Sequence, residues 1–175
     1  RNAPVGADMD GDGYEDLVLS DGYADEGGKT DNGAVWILWG QTTRYQTVPT
    51  SIDGYASTVL SGSNSQGLGW ASQPGEDWDG DGDAELWMFV HSDGLYVIEG
   101  RPRAEWGSLD FSAASVYYDW GSSSADVDTI RQIGDWDSDG ISDMMCYLTD
   151  TSSSIGTNEV FSSQTQSGSY TEKLG

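Results

Sequence analysis

The chain has 175 residues, with 7 Lys+Arg against 30 Asp+Glu and a formal net charge of -23. That balance excludes nucleic acid, whose binding rests on Lys and Arg neutralising phosphates, and it disfavours anionic membrane surfaces. No apolar run approaches the roughly 18 residues of a membrane-spanning helix, so no membrane insertion is expected, and one Cys with one His leaves little for a disulfide framework or a zinc site.

In chain order, the first feature is an acidic loop, Asp8-Met9-Asp10-Gly11-Asp12-Gly13-Tyr14-Glu15-Asp16. The apolar run Leu17-Val18-Leu19 follows and stops at Ser20-Asp21, and a second run from Ala34 to Trp39 stops at Gly40. Short apolar, β-branched and aromatic runs bounded by turn residues predict buried strands. A polar link over roughly 41–69 contains Ser57-Thr58-Val59-Leu60, which can supply an outer strand. The same order then returns. Asp77-Trp78-Asp79-Gly80-Asp81-Gly82-Asp83-Ala84-Glu85 precedes the strand Leu86–Val90, and Leu95 to Glu99 forms the next, ending at Gly100. The link over roughly 101–128 holds Ser115-Val116-Tyr117-Tyr118. The third copy has Asp135-Trp136-Asp137-Ser138-Asp139-Gly140-Ile141-Ser142-Asp143, then Met144 to Leu148 and a weaker strand around Glu159-Val160-Phe161. Helical periodicity is nowhere convincing. The three copies divide the chain into approximate repeats 1–65, 66–125 and 126–175.

The chemistry of the repeated loop is that of a calcium ligand set. Calcium is a hard cation that takes about six to eight oxygens from carboxylates, carbonyls and water. Acids at positions 1, 3, 5 and 9 can turn four carboxylates toward one point: Asp8, Asp10, Asp12 and Asp16; Asp77, Asp79, Asp81 and Glu85; Asp135, Asp137, Asp139 and Asp143. Glycine at position 6 permits a sharp turn with positive φ, so that position 7 offers its backbone carbonyl. Those carbonyls belong to Tyr14, Asp83 and Ile141, whose unrelated side chains suit a backbone role; positions 4, 7 and 8 are read as free to vary. Three calcium ions are therefore expected. An EF-hand is excluded, because it needs a Glu at position 12 and flanking helices, whereas position 12 is Leu19, Met88 and Cys146 between predicted strands.

A repeat of about 60 residues with about four strands matches one blade of a β-propeller, a radial array of four-stranded sheets. The D-x-D-x-D-G-x-x-[DE] loops at Asp8, Asp77 and Asp135, each with an apolar strand after it, resemble FG-GAP repeats. That is the calcium-loop propeller family of integrin α-subunit heads and many bacterial surface proteins. Gly33-Ala34-Val35-Trp36-Ile37-Leu38-Trp39-Gly40 and Gly94-Leu95-Tyr96-Val97-Ile98-Glu99-Gly100 match the family's following strand. The family's Phe-Gly pair is matched at best by Leu68-Gly69, and Ser-Asp or Thr-Asp replaces its Gly-Ala-Pro element. The resemblance implies an all-β fold of about three four-stranded blades, an incomplete propeller.

An incomplete array leaves open sheet faces and edges, so further blades of the same polypeptide or identical copies are expected to cover them. Cytosolic calcium is too low to fill ordinary structural sites, which implies an extracellular or cell-surface location. The function read from the sequence is non-catalytic: cell-surface adhesion or a structural scaffold, with a protein or polysaccharide surface as ligand. The alternatives are a polysaccharide-binding or polysaccharide-degrading module and a self-assembling extracellular fibre subunit. Met9, Trp78 and Trp136 at position 2 of the loops are expected to pack against the neighbouring blade. Of Trp36 and Trp39, one is expected in the core and the other at an inter-blade or partner contact. Tyr117, Tyr118 and Trp120 form an edge cluster, His91 is a surface residue, and Cys146 reads as a small buried hydrophobe.

Overall fold

The computed structural model describes residues 5–42, 58–63, 65–78, 80–90, 94–107, 109, 114, 116–118, 125–150, 155–161 and 172–174. Runs of this length, rich in β-branched and aromatic residues, are too short for a stable helix and fit a pleated, buried surface. They form three antiparallel sheets among the described residues. The first joins β1 (Val5–Ala7), β2 (Asp16–Asp21), β3 (Ala34–Leu38) and β4 (Thr58–Ser61) in chain order. The second joins β5 (Leu68–Pro74), β6 (Leu86–Val90), β7 (Gly94–Ile98) and β8 (Val116–Tyr118). The third joins β9 (Ala125–Gly134), β10 (Asp143–Asp150), β11 (Ile155–Phe161) and β12 (Glu172–Leu174). Each is a four-stranded meander, the form of a propeller blade, so the chain is all-β with partial β-propeller blades. Among the described residues no helix is long and apolar enough to cross a membrane.

The strands that follow the acidic loops lie where the apolar runs predict them. The strands that precede the loops, β1, β5 and β9, do not stand out in the sequence, and each acidic loop is the connection between the first and second strand of its sheet. β5 contains Gly69 and Pro74, and β9 alternates apolar with polar residues, so neither reads as an apolar run. The sequence expectations for His91 and Trp120 fall outside the described residues, as do the side chains of Tyr117 and Tyr118.

The sheets stack through alternating faces. Successive strand residues point to opposite sides, and β6 uses both. Leu86, Met88 and Val90 join a core with Val18, Val35, Ile37 and Trp39 of the first sheet. Trp87 and Phe89 join a second core with Ile130, Met144 and Cys146 of the third. Every residue of β6 is therefore buried, whereas β2 alternates between buried and half-buried from Asp16 to Leu19 and ends at the exposed Asp21. Each fully buried aliphatic side chain contributes about 1.5–3 kcal/mol, so the two cores hold the stack together. Trp36 and Trp39 are both buried. Trp39 lies in the core between the first two sheets, tilted against the buried Trp106 at 6.0 Å. Cys146 is buried, as its apolar strand predicts.

β5 lies between sheets, against β2 and β3 on one side and β9 on the other. Its start explains the Leu68-Gly69 pair. Leu68 N–H donates to the Asn32 carbonyl at 3.0 Å. Gly69 has φ +74, and a Cβ there would lie 2.8 Å from both the Ala34 carbonyl oxygen and Val35 Cγ2. Only glycine lets the two backbones approach this closely.

Candidate metal centre

The three acidic loops share one hydrogen-bond frame, built from their own carboxylates. At position 1, Asp8 accepts the Asp12 and Gly13 N–H groups at 3.1 and 2.8 Å. Asp135 accepts Asp139 and Gly140 N–H, both at 3.0 Å. Asp77 accepts Gly80 and Gly82 N–H at 2.7 and 2.9 Å. At position 3, Asp10 and Asp137 accept the N–H of position 5, at 3.3 and 3.1 Å. At position 5, Asp12, Asp81 and Asp139 accept the N–H of Tyr14, Asp83 and Ile141 at 2.9, 2.9 and 2.8 Å. The bonds from each acid to N–H groups two to five residues ahead wind the loop inward. The frame depends on left-handed residues. Gly13, Gly82 and Gly140 at position 6 have φ of 87°, 106° and 97°.

Position 4 corrects the sequence reading. It is not free to vary, because Gly11, Gly80 and Ser138 all have positive φ, at 70°, 84° and 65°. Two glycines there were the available signal; Ser138 pays a local strain that serine tolerates poorly.

Position 9 is the buried end of each loop. Asp16, Glu85 and Asp143 are at most 1 % exposed; Asp16 and Asp143 open the second strand of their sheets and Glu85 immediately precedes it. Asp16 accepts Met9 N–H at 2.9 Å and Gly40 N–H at 2.7 Å, which ties the loop to the end of the second apolar run. Glu85 accepts Trp78 N–H. Asp143 accepts Trp136 and Asp137 N–H with Oδ2, at 2.7 and 3.3 Å. Its other oxygen, Oδ1, is buried and meets no donor among the described residues.

Carboxylate oxygens converge in each loop. Asp8, Asp10 and Asp16 bring one ligand atom each within 4.8 Å of one another, as do Asp77, Asp81 and Glu85, and Asp135, Asp137 and Asp143. Asp12 and Asp139 lie outside these groups, and Asp79 lies outside the described residues. The side chain of Asp83 at position 7 reaches toward the first loop, where a Cβ on Gly11 would meet its Oδ1 at 2.4 Å. Burial and the crowding of like charges hold several of these acids above the ordinary carboxylate range. Burial pushes Asp16 up to about 6, against the two N–H bonds it accepts and with help from Asp10 and Asp12. Asp143 is raised by burial and by the charges of Asp137 and Asp139. Asp10 is raised by burial and by Asp12 and Asp8, and Asp83 by burial and by Asp81, Asp8 and Asp77.

Residues 2–38, which include this first loop and β1 to β3, match the family described as FG-GAP repeat. The chain carries an FG-GAP repeat. Beyond the span of that match, the second and third loops repeat two bonds of this frame, from the N–H of position 7 to the position-5 acid and from the N–H of position 2 to the position-9 acid. No curated protein matches the chain.

The donor set fits a hard divalent cation. Each loop gathers three carboxylates, and the buried Asp143 Oδ1 has the electron pairs for a ligand but no proton donor to receive. A cation there would satisfy that oxygen and offset the burial and the like charges that raise Asp143.

Proposed function

We infer that the chain is a non-catalytic, extracellular calcium-binding β-propeller segment that serves in cell-surface adhesion or as a structural scaffold. The observation that carries this reading is the threefold recurrence of one carboxylate frame, each with a buried acid at position 9. Calcium is favoured over magnesium because a dense set of carboxylates supplies many oxygens, while magnesium keeps most of its water. Asp8, Asp10 and Asp16 would hold the first ion, Asp77, Asp81 and Glu85 the second, and Asp135, Asp137 and Asp143 the third. Asp12, Asp79 and Asp139, with the carbonyls of Tyr14, Asp83 and Ile141, would complete the sets. The ion supplies positive charge that locks the loop between the first two strands of each blade.

Acids committed to such frames are poorly placed to act as general acids or bases, which supports a non-catalytic role. An extracellular compartment is proposed because structural calcium sites of modest affinity, about 10⁻⁴ to 10⁻³ M, fill where calcium is abundant. A protein or polysaccharide surface is the ligand class proposed. Thermal melts followed by circular dichroism, in calcium and in excess chelator, test the reading. Calcium is expected to raise the melting temperature, since an ion that binds only the folded state stabilises it. A melting temperature that chelator leaves unchanged would sink it.

A further inference from the structure

The residue at position 2 of each loop acts as a plug for the next sheet. Met9 is 0 % exposed in the core between the first and second sheets, where its carbonyl accepts Arg101 N–H and Trp106 Nε1–H, both at 3.2 Å. Trp78 is 4 % exposed in the core between the second and third, edge-on to Trp87 at 5.3 Å. Trp136, the third plug, is 45 % exposed. Met145 holds the place in β10 that Trp87 holds in β6, and Tyr147 that of Phe89, each pair at the same distance from its position-9 acid. Trp87 and Phe89 are buried; Tyr147 is 38 % exposed and Met145 half-buried. The third sheet thus presents an inter-blade face, plug included, with no blade on it among the described residues.

The first sheet presents the matching half. Leu17 pairs with Leu38 and Leu19 with Trp36 across β2 and β3. These four occupy the places that Leu86, Ile98, Met88 and Tyr96 hold in the second sheet, where that face is covered by the first sheet. Leu17, Leu19 and Leu38 are half-buried and Trp36 is 8 % exposed, an apolar surface of the kind that receives a plug.

We propose that the open face of the third sheet, led by Trp136, docks on the open face of the first sheet in a second copy of this chain. The contact continues an interface the molecule already uses twice. One chain carries both halves, and the contact is heterologous, so two copies can close on each other through two equivalent junctions. Together they bring six described blades, within the range of about four to eight at which propellers close. The formal charge of -23 opposes random association, which leaves the apolar ends as the attractive surfaces. This proposal rests on the blade faces and not on the calcium reading; a chain that binds no calcium could still pair this way.

Sedimentation velocity on the whole chain up to about 200 µM, in calcium, tests it. A species of twice the chain mass is expected. Trp136→Glu should block one half and Leu19→Glu the other, each raising the midpoint of association at least about tenfold. Tyr147→Glu and Leu19→Ser serve as second variants, and circular dichroism confirms that each variant is folded. Mixing Trp136→Glu with Leu19→Glu should restore a dimer, because one intact junction can then form. A wild-type chain that stays monomeric overturns the proposal, as it would if a further blade of a longer polypeptide were the natural occupant. Association that survives both blocking variants, or that the mixture fails to restore, overturns it as well.

Discussion

Asp143→Asn separates what a buried carboxylate does for the fold from what it does for an ion. Asp143 is 0 % exposed, and its Oδ2 accepts two backbone N–H groups. An asparagine of the same shape keeps that acceptor and places its NH₂ where Oδ1 meets no donor. The ligand oxygens of Asp135, Asp137 and Asp143 lie within 4.8 Å of one another. Like charges at that separation repel by about 1 kcal/mol at the dielectric of water and about 3.5 kcal/mol at an effective dielectric near 20. Asp135 and Asp137 are exposed, so the lower part of that range applies to each pair. Weakening two charge-assisted bonds returns about 1–2 kcal/mol of the relief. In chelator the variant should therefore be as stable as the wild type or more so, by up to roughly 2 kcal/mol. In calcium the comparison changes. An ion at about one hundred times its dissociation constant stabilises by about 2.7 kcal/mol, and the variant should lose that contribution at the third site. Urea denaturation at pH 7, with and without calcium, measures both quantities. A variant destabilised equally in the two buffers would refute the reasoning, since Asp143 would then be only a backbone brace.

Further expectations follow from the same geometry. Asp16 is raised to about 6, so in chelator its contribution to stability is fully present below about pH 4. That contribution is lost as the pH rises through 6, by roughly 3 kcal/mol; in calcium the order reverses, because below pH 6 protons compete with the ion. Chelated stability that rises between pH 4 and 6.5 would contradict this. Trp78→Ala empties the plug between the second and third sheets and should cost about 3–5 kcal/mol in denaturant titrations; a loss under 1 kcal/mol would mean the sheets do not pack there. Gly69→Ala combines a positive φ with a 2.8 Å approach to the first sheet and should cost roughly 2–4 kcal/mol. Gly80→Ala, with φ +84 but open space around it, should cost only about 1–2 kcal/mol, and equal losses at the two sites would remove the close-approach argument.

The parts of the fold that were legible are those written in residue type. β6 is apolar at all five positions because sheets cover both its faces, and its bounds could be read directly. The acidic loops were legible because their acids must recur at fixed spacing to converge. β1, β5 and β9 were not, for a physical reason. They sit at one margin of each sheet, and β5 is largely buried but packs backbone against backbone at Gly69, so small residues, Ser72 and Pro74 stand where an apolar run would show. Position 4 of the loops is hidden because serine and glycine differ as side chains, while the loop selects a positive φ that glycine adopts freely and Ser138 only with strain. The outward position of Trp136 was equally hidden, since the same residue type at Trp78 is buried.

Isothermal titration calorimetry of calcium into the chelator-stripped chain tests the central claim most directly. Three ions per chain are expected, with dissociation constants near 10⁻⁴ to 10⁻³ M, falling to two ions in Asp143→Asn. A chain that takes up no calcium at millimolar concentration would contradict the account, whatever its sheets turn out to pack against.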